Sequence, residues 1–176
     1  MPSTRWAKPT LRGELVTLRP MVADDAPAMW EALHDPEGRD LTHTTASFEY
    51  DDIVAWCASR AEQDERLDLA IVENATGAVA GEAVLNEYDA EQDSANFRIS
   101  LGGPTFYGRG LGTEATRLIV DHGLGTIGLR RITLTVLARN PRAIRSYEKV
   151  GFEVTGTDHD DGEDWVEMAI ERPGPA

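Results

Sequence analysis

Between about Ala95 and Leu137 the chain runs apolar strand, glycine turn, amphipathic helix, apolar strand, and this order leaves few ways to fold. Ala95 to Leu101 reads as a strand closed by Gly102, Gly103 and Pro104. Thr113 to Leu124 is helical by the spacing of Ala115, Leu118, Ile119 and His122, and Arg131 to Leu137 alternates with Ile132, Leu134 and Val136 on one face. Two strands joined through a helix lie parallel in one sheet, so the segment predicts a crossover unit. The remaining elements attach to it. A strand is expected over Glu14 to Met21, and a helix after Asp24 and Asp25 carrying Ala26, Met29, Trp30 and Leu33. A second helix is expected from about Tyr50 to Arg66. Leu67 to Val72 and Val79 to Leu85 read as a hairpin through Asn74 to Gly77, and two closing strands are expected at Phe152 to Gly156 and Trp165 to Ile170. Asn140 as cap, Pro141 at the first helical position and Gly151 past the end bound a helix tightly. The reading is α+β: one domain over 14–171, with a mixed sheet and helices on both faces, an N-terminal extension at 1–13 and a tail at 172–176.

The turn Thr105 to Ala115, TFYGRGLGTEA, is where chemistry first shows. Gly108, Gly110 and Gly112 let successive main-chain N–H groups point into one concavity at the positive end of a helix, which makes a phosphate cradle. An ordinary glycine-rich loop reads the same way by spacing alone. No Gly-Lys-Ser/Thr is present, and the next strand ends at Arg139 and Asn140 in place of a ribose-binding acid, so neither a Walker loop nor a dinucleotide site fits. Charge adds an independent argument. The net charge is −14, which disfavours nucleic acid and anionic lipid as partners. From Thr105 to Lys149, however, eight bases face three acids, a net of +5 that leaves −19 elsewhere. Arg109, Arg142 and Arg145 are the phosphate contacts expected in that basic island, although a solvated helix face is the plainer reading of any one of them.

Cys57 is the only cysteine, so no internal disulfide forms and a reducing, cytoplasmic setting is expected. On its helical stripe it reads as a packing residue. No stretch approaches the roughly 18 apolar residues of a membrane span. The four histidines share no metal-ligand spacing, and the acids from Asp158 to Asp164 lack the order of a calcium loop, so no metal is expected.

GRGLGTEA at 108–115, RRITLTVLARNPRAIRSYEKVGF at 130–152 and the closing strand around Trp165 to Ile170 together resemble the GNAT superfamily of N-acetyltransferases. More narrowly they are similar to its branch containing ribosomal-protein N-terminal acetyltransferases and spermidine acetyltransferases. The resemblance implies a GNAT-like sheet with a splayed central strand pair and acetyl-CoA as co-substrate. It implies that the turn Tyr107, Gly108, Arg109, Gly110, Leu111, Gly112 and Thr113 cradles the pyrophosphate, with Tyr107 standing where Gln or Arg is usual. Main-chain groups of Ile99 and Leu101 would pair with the pantetheine arm as a neighbouring strand would, and Asn140 would hydrogen-bond it. Tyr147 would stand near the sulfur as the general acid. Asn140 is equally explained as a helix cap, and Tyr147 as core. For the base, Glu82 leads, with Glu87 and Ser100 behind it; Asn96 occupies the strand position where relatives often carry an acid. The implied activity is acetyl transfer to a primary amine: a protein N-terminus, a polyamine or a small molecule. The acidic remainder of the chain favours a cationic acceptor. Without a base the same domain would be a non-catalytic acyl-CoA-binding module. A homodimer is common in proteins that this one resembles.

Overall fold

The computed structural model describes residues 6–174. Its sheet has the order β1-β2-β3-β4-β5-β6-β8-β7, built from β1 (Leu11–Arg12), β2 (Val16–Pro20), β3 (Leu67–Glu73), β4 (Val79–Asp89), β5 (Ser94–Leu101), β6 (Arg131–Leu137), β7 (Glu153–Asp160) and β8 (Glu163–Glu171). All neighbours are antiparallel except β5 and β6, the parallel crossover pair that the sequence order requires. The helices are α1 (Ala26–His34), α2 (Pro36–Leu41), α3 (Tyr50–Ser59), α4 (Leu111–Asp121) and α5 (Pro141–Val150).

Alternation along the strands sorts side chains to two faces. One face presents Leu69, Ile71, Leu85, Phe97, Ile132, Leu134 and Met168 to a core that includes Leu111, Ala115 and Ile119 of α4. Each large apolar side chain fully buried there contributes about 1.5–3 kcal/mol. The opposite face is covered by a smaller cluster of Met21, Ala26, Met29, Ile53 and Cys57 from α1, α3 and the segment before them. Cys57 is buried and its thiol is pushed up to about 11 by desolvation and the nearby charges of Asp25 and Glu82, so it packs and does not react.

α3 stops at Ser59, short of the Arg66 that periodicity suggests, and turns tightly through Arg60–Glu62. Beyond Cys57 the stripe offers only Ala61, and Arg60 folds back over the Trp56 ring at 3.7 Å. α4 begins two residues earlier than expected because Gly110, at φ 81°, reverses the chain directly into the helix. The acidic stretch at 158–164 is largely strand, with β7 and β8 meeting across Asp161 and Gly162, both at positive φ, whereas in 87–93 β4 runs on to Asp89 and the rest is turn. α2, unforeseen, is set up by Pro36 and by Asp35, whose carboxylate accepts from Gly38 N at 2.8 Å.

Residues 6–13, expected as an extension, lie on the domain. Trp6 is buried against Tyr88 at 5.4 Å between ring centroids, and Leu11–Arg12 pairs with β2. The carboxylate of Glu114 in α4 accepts from the main-chain N–H of Glu14, Leu15 and Val16 at 3.1, 2.7 and 2.8 Å. A Cβ on Gly13 would stand 2.5 Å from that carboxylate. Gly13→Ala is therefore expected to displace it, at about 1.5–3 kcal/mol, lowering Tm by roughly 3–12 °C in a chain of this size. Thermal unfolding followed by circular dichroism checks this, and an unchanged Tm would show that the carboxylate does not tie the helix to the strand.

Candidate active site

The parallel pair β5·β6 holds register only over Ser94↔Arg131, Ala95↔Ile132 and Asn96↔Thr133. Beyond it the two strands part, while β4 follows β5 to Leu101 and β8 follows β6 to Leu137. The result is a wedge in the middle of the sheet. Its lining follows from alternation: Arg130 N donates to Asp93 O on the β6 side, and Gly102 N donates to Ala80 O on the β4 side. The main-chain groups of Phe97, Ile99 and Leu101 therefore face the wedge and lack a strand partner there.

At its mouth lies the glycine turn. Gly108 and Gly110 adopt φ 68° and 81°, a conformation that favours glycine. Among the described residues, the N–H groups from Gly108 to Thr113 bond to no other group, the last three being the orphan donors of the first turn of α4. The space in front of them is open: a Cβ on Gly108 would meet nothing within 4 Å, and one on Gly110 only Leu15 Cδ1 at 3.5 Å. Gly112 packs beside Ile99 and Leu101, which sets the cradle against the wedge. These donors fit a pyrophosphate. The acid of this turn, Glu114, faces away, satisfied by three main-chain donors of the N-terminal segment.

The side chains of the turn serve other contacts. Tyr107 Oη donates to Asp35 Oδ2 at 2.8 Å, and burial together with Asp35 holds its phenol well above its ordinary pKa. Arg109 is paired with Glu73 and donates to Thr105 O at 3.0 Å. Thr113 Oγ1 meets Ser146 Oγ of α5 at 2.7 Å. Of the arginines expected on phosphate, Arg142 lies over the Tyr107 ring at 4.4 Å and 3.5 Å from Glu37, and Arg145 is exposed and pairs with no acid among the described residues.

α5 brings the remaining residues in. Asn140 caps it, its Oδ1 accepting from Ala143 N at 3.3 Å, and its Nδ2 donates to no group among the described residues. Tyr147 stands edge-on to Phe97 at 6.1 Å between centroids, and Phe97 is the first β5 residue past the last paired position. Tyr147 is thus at the throat of the wedge. Burial pushes its phenol up to about 12, so it carries its proton at any working pH.

The other face of β4 and β5 holds Glu82, opposite Ser100, with Arg98 at 3.5 Å. Burial raises the Glu82 carboxyl above its ordinary range, and Arg98 opposes that only in part. Asn96, expected beside the cleft, donates to Asn86 Oδ1 at 3.0 Å, and Glu87 sits exposed at positive φ where the β4·β5 register shifts. Among the acids of residues 24–66, Asp25 is committed to Arg19, Asp35 to Tyr107, and Asp40 to Arg139. Two neighbours of Glu82, Arg60 and Arg98, were not singled out from sequence. The alternation of Asn96, Arg98 and Ser100 with Ala95, Phe97 and Ile99 marked Arg98 as lying on the polar face, whereas Arg60 reaches this place only through the fold.

The family profile described as "Acetyltransferase (GNAT) domain" matches residues 16–153. Spermidine N(1)-acetyltransferase of Escherichia coli (strain K12) is 35% identical over 95 residues, 54% of this chain and 49% of that protein, so the match spans about half the length of that relative. Uncharacterized N-acetyltransferase p20 of Bacillus licheniformis is 26% identical over 150 residues, 84% of each. Among solved structures, spermidine N-acetyltransferase from Vibrio cholerae in complex with CoA and spermine superposes with a TM-score of 0.80 at 19% identity, covering 91% of this chain and 97% of that one. The fold is accordingly the GNAT fold, and with the profile matched across most of the chain, this protein belongs to the GNAT acetyltransferase family.

Proposed function

We propose that this chain is an N-acetyltransferase that takes its acetyl group from acetyl-CoA and delivers it to a primary amine by direct attack in a ternary complex. The observation that carries this reading is the parting of β5 from β6 after Asn96, beside a turn whose six successive amides bond to nothing else among the described residues. Acetyl-CoA, when bound, supplies an acetyl thioester. The amides from Gly108 to Thr113 hold its pyrophosphate, aided by Arg145; Arg109 and Arg142 reach phosphate by exchanging Glu73 and Glu37 for it. Main-chain groups of Ile99 and Leu101 and Nδ2 of Asn140 hold the pantetheine in the wedge. A main-chain N–H on β5 polarises the acetyl carbonyl.

The amine arrives as an ammonium, drawn by a chain of net charge −14. Glu82 accepts its proton, directly or through water, and Tyr147 Oη donates a proton to the departing sulfur. The relatives that acetylate spermidine support an amine as the acceptor. Amine-dependent thiol release from acetyl-CoA across a panel of amines tests this reading. CoA binding without any such release would leave only a non-catalytic acyl-CoA-binding module.

The pH dependence follows from Glu82. Its carboxyl must be ionised to act, and burial raises its pKa, so kcat/KM is expected to climb with pH through a value above the ordinary carboxylate range and then level off. In Glu82→Gln that limb is expected to be lost, leaving only the rise due to the amine itself. Retention of the limb in the variant would assign it to another group.

A further inference from the structure

The floor beneath the wedge holds guanidinium groups that the transferase chemistry does not use. Arg60, Arg66 and Arg98 stand around the carboxylates of Asp68 and Glu82, close enough for their charges to act on one another, and Glu87 acts more weakly on Arg66. Asp68 is spent on Arg66 through two hydrogen bonds of 2.7 and 2.8 Å. Arg60 and Arg98 are left to share Glu82, and Arg98 approaches it only to 3.5 Å. The side chain of Arg98 is 49% exposed, whereas that of Glu82 is 16% exposed. The like charge of Arg98 works against Arg60, whose pKa is lowered, chiefly by burial. Arg60 is held in place by Trp56, over whose ring it stacks at 3.7 Å and to whose carbonyl it donates at 3.2 Å.

The position of Arg98 and Arg60 brings them to the acceptor. Arg98 lies between Phe97 and Ile99, whose main-chain groups line the wedge, and Glu82 stands opposite Ser100 on the same face as Arg98. An acceptor whose amine reaches Glu82 therefore meets two guanidinium groups within the length of a small molecule. A second ammonium is repelled there, while a carboxylate relieves the crowding and takes the guanidinium N–H donors that Trp56 and Ser59 leave over on Arg60 and those of Arg98.

We propose that the acceptor is a zwitterionic amine, its ammonium delivered to Glu82 and its carboxylate held by Arg98 and Arg60. This deepens the transferase reading and rests on it. The test compares free amino acids, their amides, which keep the amine but replace the carboxylate with a neutral group, and spermidine, by thiol release from acetyl-CoA. For the best amino acid, the ratio of kcat/KM between acid and amide is expected to fall about tenfold in Arg98→Gln. Comparing the ratio between enzymes cancels the differing basicity of the two amines. Arg60→Gln gives the same readout should Arg98→Gln fail to fold, and Arg98→Lys, which keeps the charge but not the fork, is expected to retain part of the ratio. Preference for spermidine over every amino acid, with ratios unmoved by either variant, would overturn the inference and leave the transferase reading standing. No thiol release with any acceptor would remove both.

Discussion

Tyr147→Phe is expected to lower kcat for acetyl transfer by about 100-fold, at the lower end of what a positioned proton donor contributes, with acetyl-CoA affinity within about twofold of wild type. The separation follows from where the ring and the hydroxyl do their work. The ring packs edge-on against Phe97 and Phe152, and phenylalanine preserves those contacts and the throat they form. The hydroxyl has no hydrogen-bond partner in the protein among the described residues, and its proton is held to about pH 12 by burial. It passes to the departing sulfur as negative charge develops there, beside the hydroxyl and away from water. No falling limb from this group is therefore expected in the pH profile below about pH 11. Single-turnover rates beside calorimetric acetyl-CoA affinities check this. Equal losses in both would mean that the hydroxyl binds the donor and does not act as an acid.

The mirror-image result is expected at the glycine turn. Gly110→Val should weaken acetyl-CoA binding by about 100-fold, while kcat at saturating donor changes far less. Gly110 sits at φ 81°, where an L side chain costs roughly 1–2 kcal/mol and a β-branched one more. The added methyl groups also stand at the edge of the open space in front of the amides, so the chain relieves its strain by turning those donors away from the phosphates. A control isolates the ligand effect from simple destabilisation. Gly162, at φ 75° in the β7–β8 turn with nothing within 4 Å of its Cβ position, carries comparable strain outside the cradle. Gly162→Val should lower Tm and leave acetyl-CoA affinity alone; a parallel loss of affinity there would show that Gly110→Val acts through stability.

What the sequence made legible was whatever is written locally. α5 is bounded as its residues dictate, with Asn140 bonding Ala143 N and Gly151 at φ 119°, because cap, proline and terminal glycine act within a few residues of one another. The crossover pair was likewise fixed by the order of its elements. Charge was legible only as a sum. The +5 of 105–149 is an island along the chain, yet Arg109 and Arg142 are met by Glu73 and Glu37, acids from distant segments that no count along the chain brings together. Trp6 and Leu11–Arg12 were missed for the same reason: a short apolar segment joins a sheet only when the groups that hold it, here the carboxylate of Glu114, are already in place. α3 ran long because periodicity does not record where a stripe loses its partner surface.

The parting of β5 and β6 also bears on how such a protein avoids its own kind. Unpaired strand edges ordinarily recruit other chains and lead to aggregation. Here the two edges that remain unpaired past Asn96 and Thr133 lie in the interior of an eight-stranded sheet, with α4 and α5 above one face and α1 and α3 over the other. A polypeptide strand would have to bring side chains into both layers to pair there, whereas the slender amide-bearing arm proposed above would not. In that proposed reading the sheet keeps an edge that is withheld from neighbouring proteins by its position inside the fold and left to one thin ligand.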